Sequence, residues 1–300
     1  MQLNLTKQRI GEICILGEAF LWGLFPVLIV VSQATLSPLV TLSLSSLLAA
    51  CFFGIVLTSK KKWHELQKKE TFVDMLLSAG ILGIGLYLCY FIGLQYTSPG
   101  NASIIALAEI FFSYLFFHVW KKEALIRSHI TGAILIVLGV LILFIPSFHT
   151  FQLGDVLILI AAMIAPFGNF FQRRARTTVS SETILFVRSL VSGIFVLMLA
   201  WLTHASFSYS AIQNASLILL INGVVILGFS KMLWIEGIHR ISVMKANALN
   251  STVPLITLLF SWVLLHKQTT IYQMLSFIPV FFGIRFLSKK ISTKITKDNK

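Results

Sequence analysis

The sequence predicts an all-α, polytopic membrane protein, with ten transmembrane helices in two inverted five-helix repeats, residues 1–149 and 150–300. Three observations predict it. Apolar stretches of about 18 to 25 residues recur along the chain, each able to cross a hydrocarbon core of about 30 Å as a helix. Lysine and arginine collect in alternate connections, as the positive-inside rule requires of a multi-span protein. The two halves also match at a constant offset. Composition agrees: 57% of the 300 residues are hydrophobic and 12% are charged, whereas a soluble domain carries about a quarter charged residues. The mean hydropathy is +0.88.

The spans follow in order. The first, 11–31, comes after Lys7 and Arg9; its apolar run has no small-residue cleavage site, so it is expected to be retained, not removed as a signal peptide. Span 2, 36–58, ends at Lys60, Lys61 and Lys62, with Lys68 and Lys69 before span 3 at 72–93. Span 4, 98–119, is followed by Lys121, Lys122 and Arg127, and then by span 5 at 129–146. Span 6, 153–172, is closed by Arg173, Arg174 and Arg176 before span 7 at 181–202. Span 8, 215–238, precedes Arg240 and Lys245, and spans 9 and 10, 243–265 and 270–288, lead to the tail with Lys289 and Lys290. Of the 24 Lys and Arg residues, Lys267 alone falls in a connection on the other side, while Arg188, Lys231 and Arg285 fall inside spans. That asymmetry sets both termini in the cytoplasm.

An offset of 144 brings Gly93 onto Gly237, Ser98 onto Ser242 and Ala102 onto Ala246. The same offset pairs Phe116 with Phe260, Val119 with Val263, Ile134 with Ile278, Gly139 with Gly283 and Leu143 with Leu287. The register runs without a gap through spans 3–5 and 8–10. Five spans per half is an odd number, so the second half enters the membrane from the opposite side. Inverted repeats of this kind are the architecture of secondary transporters, with the substrate site near the midplane between them.

Other function classes find little support. The net charge of +13 is topogenic and does not mark a nucleic-acid surface. Cys14, Cys51 and Cys89 lie within spans without paired spacing, and the seven histidines show no ligand spacing. No metal site, cofactor or hydrolytic triad is therefore expected, and the chain is read as no enzyme.

Several local motifs accompany the ten-span pattern. They are Phe20-Leu21-Trp22-Gly23 in span 1, Gly154-Asp155 opening span 6, and Gly139 and Gly283 in spans 5 and 10. The segment Ile241-Ser242-Val243-Met244-Lys245-Ala246 before span 9, Pro254 within it, and Arg188 in span 7 complete the set. On these residues the chain resembles the drug/metabolite transporter superfamily, EamA family, over nearly its whole length. It departs from the pattern at Ile110, the counterpart of Pro254, and at Ser45, the neighbourhood equivalent to Arg188. The resemblance implies that spans 1, 3, 4, 6, 8 and 9 surround a central cavity while spans 2, 5, 7 and 10 form the periphery.

An ionised side chain at the bilayer centre costs on the order of 3 kcal/mol, so buried charges single out candidates. Glu109 lies about eleven residues into span 4, on a face with Ala102, Ala106 and Ser113 at helical spacing. Lys231 and Trp234 share a face of span 8, and Glu18 lies one turn from Trp22 in span 1. Glu18 and Lys231 could neutralise each other or pair otherwise. In span 9, Asn250, Thr257 and Ser261 form a polar stripe with Pro254. Adding Asn169 and the aromatic edges of Tyr87 and Tyr90 gives the expected substrate site: Glu18, Trp22, Tyr87, Tyr90, Glu109, Asn169, Lys231, Trp234 and Asn250. The blander alternatives are a polar clamp between helices and a structural ion pair. Burial and Lys231 act in opposite senses on Glu109, which makes it the candidate for proton coupling. Arg188, one to two turns inside span 7, is read as snorkelling or anchoring. Asp155, at a span end, is read as costing little, and the Glu236–Arg240 spacing as a structural pair.

The function expected is secondary transport of a small polar metabolite (an amino acid, amine or related compound) across the inner membrane by alternating access, as an exporter. An uncoupled facilitator or channel-like uniporter is the alternative, and an intramembrane enzyme a weaker one. The expected partners are a small-molecule substrate, the lipid bilayer and a proton as candidate coupling ion, with no nucleic acid.

Overall fold

A computed structural model describes residues 2–121, 127–145, 152–241, 246 and 249–287. Lys122, the loop residue Ser147, residues 242–245 and the lysines of the tail from Lys289 onward lie outside the described residues. The helices are α1 (Gln2–Gln33), α2 (Pro38–Ser59), α3 (Lys69–Gly93), α4 (Pro99–Ala106 with Ala108–Lys121) and α5 (Arg127–Phe144). In the second half they are α6 (Leu153–Ala175), α7 (Ser181–Leu202), α8 (Tyr209–Arg240), α9 (Val253–Leu265) and α10 (Ile271–Leu287). Among the described residues there is no strand. Seven of these helices, α1 to α4 and α6 to α8, are long and apolar enough to cross a membrane, and α5, α9 and α10 are shorter apolar helices. The chain is a polytopic, all-α membrane protein.

Local chemistry sets several of the boundaries. Ser37 and Ser98 each cap a helix by accepting from the backbone N–H three residues on, at Val40 and Asn101. Pro38 and Pro99 follow them at the first helical position, where the missing N–H costs nothing. At the other end of α9, His266 takes the left-handed conformation that stops the helix.

The packing repeats between the halves. Helix α1 lies against α8 and α9, and its counterpart α6 lies against α3 and α4, so each half inserts its first helix into the other. The remaining helices pair off as α2 with α7 and α5 with α10. These close pairs depend on glycine. A Cβ on Gly139 would lie 2.3 Å from Val280 Cγ2, and one on Gly283 would lie 2.7 Å from the Gly132 carbonyl oxygen.

Two features depart from ten uninterrupted helices. Residues Ala79–Leu86 of α3 and Ile221–Ser230 of α8 are wound as π-helix. The 144 offset carries the first of these onto residues 223–230, inside the second. Helix α4 is interrupted at Leu107, where the Leu107 N–H bonds back to Ile104 and the Ile110 N–H to Leu107, both in the tighter three-residue pattern. The offset carries Leu107 onto Ser251, and Ser251 and Thr252 form a turn between the helical Leu249–Asn250 pair and α9. The expected start of span 9 at 243 lies outside the described residues, and within that span the helix is interrupted at Ser251 and Thr252.

Candidate functional site

Helices α1, α3, α4, α6, α7, α8 and α9, with Asn250 just before α9, line a cavity of about 120 Å³ at the junction of the halves. Glu18, Trp22, Tyr87, Tyr90, Glu109, Asn169, Lys231, Trp234 and Asn250 all line it. Local structure accounts for their convergence. Tyr87 and Tyr90 fall in the first turn after the π segment of α3, and Lys231 and Trp234 in the first turn after that of α8. Glu109 sits in the first turn of the second segment of α4. The helix dipole at that terminus favours a carboxylate. The uninterrupted span read from the sequence would give Glu109 no such support.

The polar contacts sort into three groups. Lys231 Nζ donates to Glu18 Oε1 at 2.8 Å and sits 3.1 Å from the Trp22 ring centroid. That settles which acid Lys231 pairs with. Trp22 in turn stacks on Phe25, centroids 4.0 Å apart and planes 15° from parallel, and Phe25 leans on Tyr90 at 5.2 Å. The second group is Glu109, whose Oε1 accepts from Asn169 Nδ2 at 2.7 Å. The third is Arg188, whose Nη1 donates to Gln172 Oε1 at 3.0 Å and whose Nη2 donates to the Tyr87 hydroxyl at 3.4 Å. Asn250 Oδ1 is buried with no hydrogen-bond partner among the described residues.

Arg188 corrects the sequence reading. It does not snorkel: it is 4% exposed and lines the cavity from α7, a helix assigned to the periphery. Gly83 explains its course. A Cβ there would lie 3.0 Å from Arg188 Cγ and 3.2 Å from the Arg188 carbonyl oxygen, so glycine lets α7 lie against the π segment of α3 while the arginine stem runs inward. Gln172 also lines the cavity and was missed. The sequence trace of Arg188 was Gly83, which hydropathy does not register, and Gln172 left none. Two other polar residues are reassigned. Thr257 donates to the Gly23 carbonyl at 2.9 Å and clamps α9 to α1 outside the cavity. Asp155, read as an inexpensive span-end residue, is fully buried and accepts from the Thr97 hydroxyl.

On the face that carries the Lys- and Arg-rich connections, ion pairs cluster, and those of Glu182 and Asp74 tie the halves together. Glu182 meets Lys60 and, at 3.5 Å, Lys62; Asp74 meets Arg174. Glu236 pairs with Arg240 at 2.5 Å, the spacing expected within α8, and with Arg176 at 3.3 Å. Glu65 accepts from the Ser180 N–H and hydroxyl, both at 2.7 Å, and from the Thr183 hydroxyl at 2.6 Å. Partial burial alone would raise the Glu65 pKa, but these hydrogen bonds and nearby Lys62 outweigh it and hold the carboxyl below its ordinary value. On the opposite face a polar cavity of about 640 Å³ opens between the α3–α4 and α9–α10 connections, lined among others by Tyr96, Asn101, Ser261, Lys267 and Gln273.

The EamA-like transporter family model matches the chain twice, over residues 9–145 and 152–289. The chain is 22% identical over 278 residues to the uncharacterized transporter YoaV of Bacillus subtilis, covering 90% of this chain and 94% of YoaV. It is 24% identical over 277 residues to an uncharacterized transporter of Archaeoglobus fulgidus, covering 90% of this chain and 95% of the relative. A solved crystal structure superposes with a TM-score of 0.70 at 19% identity, covering 94% of this chain and 97% of that one, which establishes the same fold. With two matched halves, a helical membrane fold and a polar cavity between the halves, the chain belongs to the EamA-like transporter family and is a membrane transporter.

Proposed function

We propose that the chain is a secondary transporter that exports a small polar metabolite across the inner membrane by alternating access, with both termini in the cytoplasm. The observation that carries this reading is the convergence of the buried ionisable and aromatic side chains of both halves on one cavity, beside helices interrupted at equivalent positions, Leu107 and Ser251. Interrupted helices in corresponding positions of inverted repeats are the usual mark of a transporter binding site. The repeats, 1–149 and 150–300, are the units related by the inversion. Under this orientation the ion pairs of Glu182, Asp74 and Glu236 close the cytoplasmic side, and the polar cavity near Lys267 faces outward.

In this reading the nine cavity residues contact the substrate and Glu109 exchanges the proton. The test uses purified protein in liposomes loaded with a metabolite selected by thermal-shift screening. Saturable uptake stimulated by counter-flow is expected, and its dependence on an imposed proton gradient should vanish in Glu109→Gln, which keeps the volume but cannot titrate. Conductance that does not saturate would refute a carrier. Counter-flow with a wild-type pH profile in Glu109→Gln would remove the proton role. The second reading, an uncoupled facilitator, is favoured by the Asn169–Glu109 hydrogen bond, which gives the carboxylate a fixed neutral partner.

A further inference from the structure

The charges of the cavity do not all cancel in place. Glu18 and Lys231 hold each other at 2.8 Å. Glu109 and Arg188 have no such relation: among the described residues neither takes part in an ion pair. Glu109 is bound by the neutral Asn169 amide at 2.7 Å. Arg188 is bound by the neutral Gln172 and Tyr87. A buried ion left with neutral partners alone is costly, and such ions are normally compensated. A zwitterionic ligand would supply that compensation to both at once.

The donor and acceptor inventory shows what that ligand must carry. Each terminal nitrogen of a guanidinium has two N–H groups, and the contacts to Gln172 and Tyr87 use one on each. One N–H on each nitrogen remains, and with Nε–H these are donors enough for both oxygens of a carboxylate. On the other side, Glu109 uses Oε1 for Asn169 and has Oε2 for a donor. Asn250 Oδ1, buried and without a partner among the described residues, adds a neutral acceptor on the same wall. Tyr90 and Trp234 leave an aromatic surface for an apolar side chain.

We infer that Arg188 and Glu109 are the two poles of a zwitterion subsite, Arg188 taking a carboxylate and Glu109 an ammonium, so that the substrate is a small zwitterion of the amino-acid type. The assignment rests on reading the cavity as the transport site. Net charge points the same way. Glu18 and Glu109 balance Lys231 and Arg188, so a net-neutral zwitterion leaves the cavity electroneutral. A polyamine would add buried positive charge and a sugar phosphate negative charge.

The full-length protein in detergent is titrated with triads that share a side chain. These are leucine, 3-methylbutylamine and 4-methylpentanoate; then phenylalanine, 2-phenylethylamine and 3-phenylpropanoate; with spermidine and glucose 6-phosphate as charged controls. In at least one triad the zwitterion is expected to bind at least about tenfold more tightly than either single-charge analogue. Arg188→Gln is expected to weaken the zwitterion by about 10- to 100-fold, the loss from removing a charge-assisted contact, while leaving the amine within about threefold. Glu109→Gln should do the converse, sparing the acid. Arg188→Lys, which keeps the charge, should recover part of the loss, and the wild-type triads decide the matter even if Arg188→Gln does not fold. An amine that binds as tightly as its zwitterion overturns the subsite, as does Arg188→Gln with wild-type zwitterion affinity or a protein that binds no member of either triad. Liposome uptake separates the two claims. Saturable transport of spermidine but of no zwitterion leaves the transporter reading standing and removes the subsite. Selective zwitterion binding without any saturable uptake does the reverse.

Discussion

Replacing Lys231 with methionine tests the ion pair at the cavity wall, because it keeps the unbranched stem and removes only the charge. Glu18 would then be stranded. Its side chain is 1% exposed, its Oε1 would lose the 2.8 Å bond, and its Oε2 already lacks a partner among the described residues. Removing one member of a buried pair costs about 3–5 kcal/mol. Lys231 also sits 3.1 Å from the Trp22 ring centroid, a contact that is itself favourable by up to about 2 kcal/mol when desolvated. The two losses share one side chain and do not simply add. With the soluble-domain scaling of about 2–4 °C per kcal/mol, Lys231→Met should unfold on the order of 10 °C below wild type. The assay is thermal unfolding of detergent-purified protein followed by size-exclusion fluorescence. Glu18→Gln combined with Lys231→Met should recover most of the stability, since an uncharged pair of similar volume is often neutral. A single variant within about 2 °C of wild type, or a double variant less stable than the single, would refute the claim that this pair compensates a buried charge.

Orientation is checked by cysteine accessibility: a cysteine at Ser208 should react with an impermeant maleimide in intact cells and one at Lys61 should not, and the reverse pattern inverts the topology. Gly139→Leu should disrupt the α5–α10 pair, where even a Cβ would come within 2.7 Å of the Ser276 carbonyl oxygen. Monodisperse yield should fall for that variant and stay at wild type for Gly80→Ala, whose added methyl meets nothing within 4 Å. Glu65 predicts an acid-sensitive tie. Its depressed pKa means the contact contributes fully above the unfolded carboxyl value of about 4.3 and is lost as pH falls through the folded value. Hydrogen exchange at the Ser180 amide should accelerate over that acid range, and Glu65→Gln should abolish the pH step.

The ten helices were legible because lipid imposes two constraints that composition records, length of apolar run and sidedness of charge. The residues around the cavity were legible because charge in a span is expensive, so Glu18, Glu109 and Lys231 stood out individually. Their partners did not. Glu18 and Lys231 are 213 positions apart, and no local pattern reports a pairing at that separation. The interruption at Leu107 carries neither proline nor glycine, so span 4 read as continuous, and span 9 was likewise read as continuous although Pro254 lies three residues beyond Ser251. The π segments are invisible to hydropathy, since widening a turn by one residue barely changes a run such as Ala79–Leu86 that is apolar all round. Arg188 was misjudged by its distance from a span end, when the decisive residue was Gly83 on the helix it crosses.

The repeat equivalence has a consequence for how one cavity can be asymmetric inside a symmetric fold. The π segments and the interruptions recur at the same offset, and so do the positions just beyond them, Tyr87 with Lys231 and Tyr90 with Trp234. The chemistry at those positions does not recur. One half presents two phenols, the other a cation and an indole; Glu109 corresponds to Val253, and Asn250 to Ala106. In an inverted-repeat carrier the halves exchange backbone conformations about a fixed site, which demands equivalent hinges but not equivalent side chains. A ligand with two unlike ends needs the opposite, unlike groups at fixed separation. Gene duplication followed by side-chain divergence satisfies both demands. The backbone devices are retained in duplicate, while Glu109 and Arg188 occur once each, and in the proposed zwitterion subsite they give the site its direction.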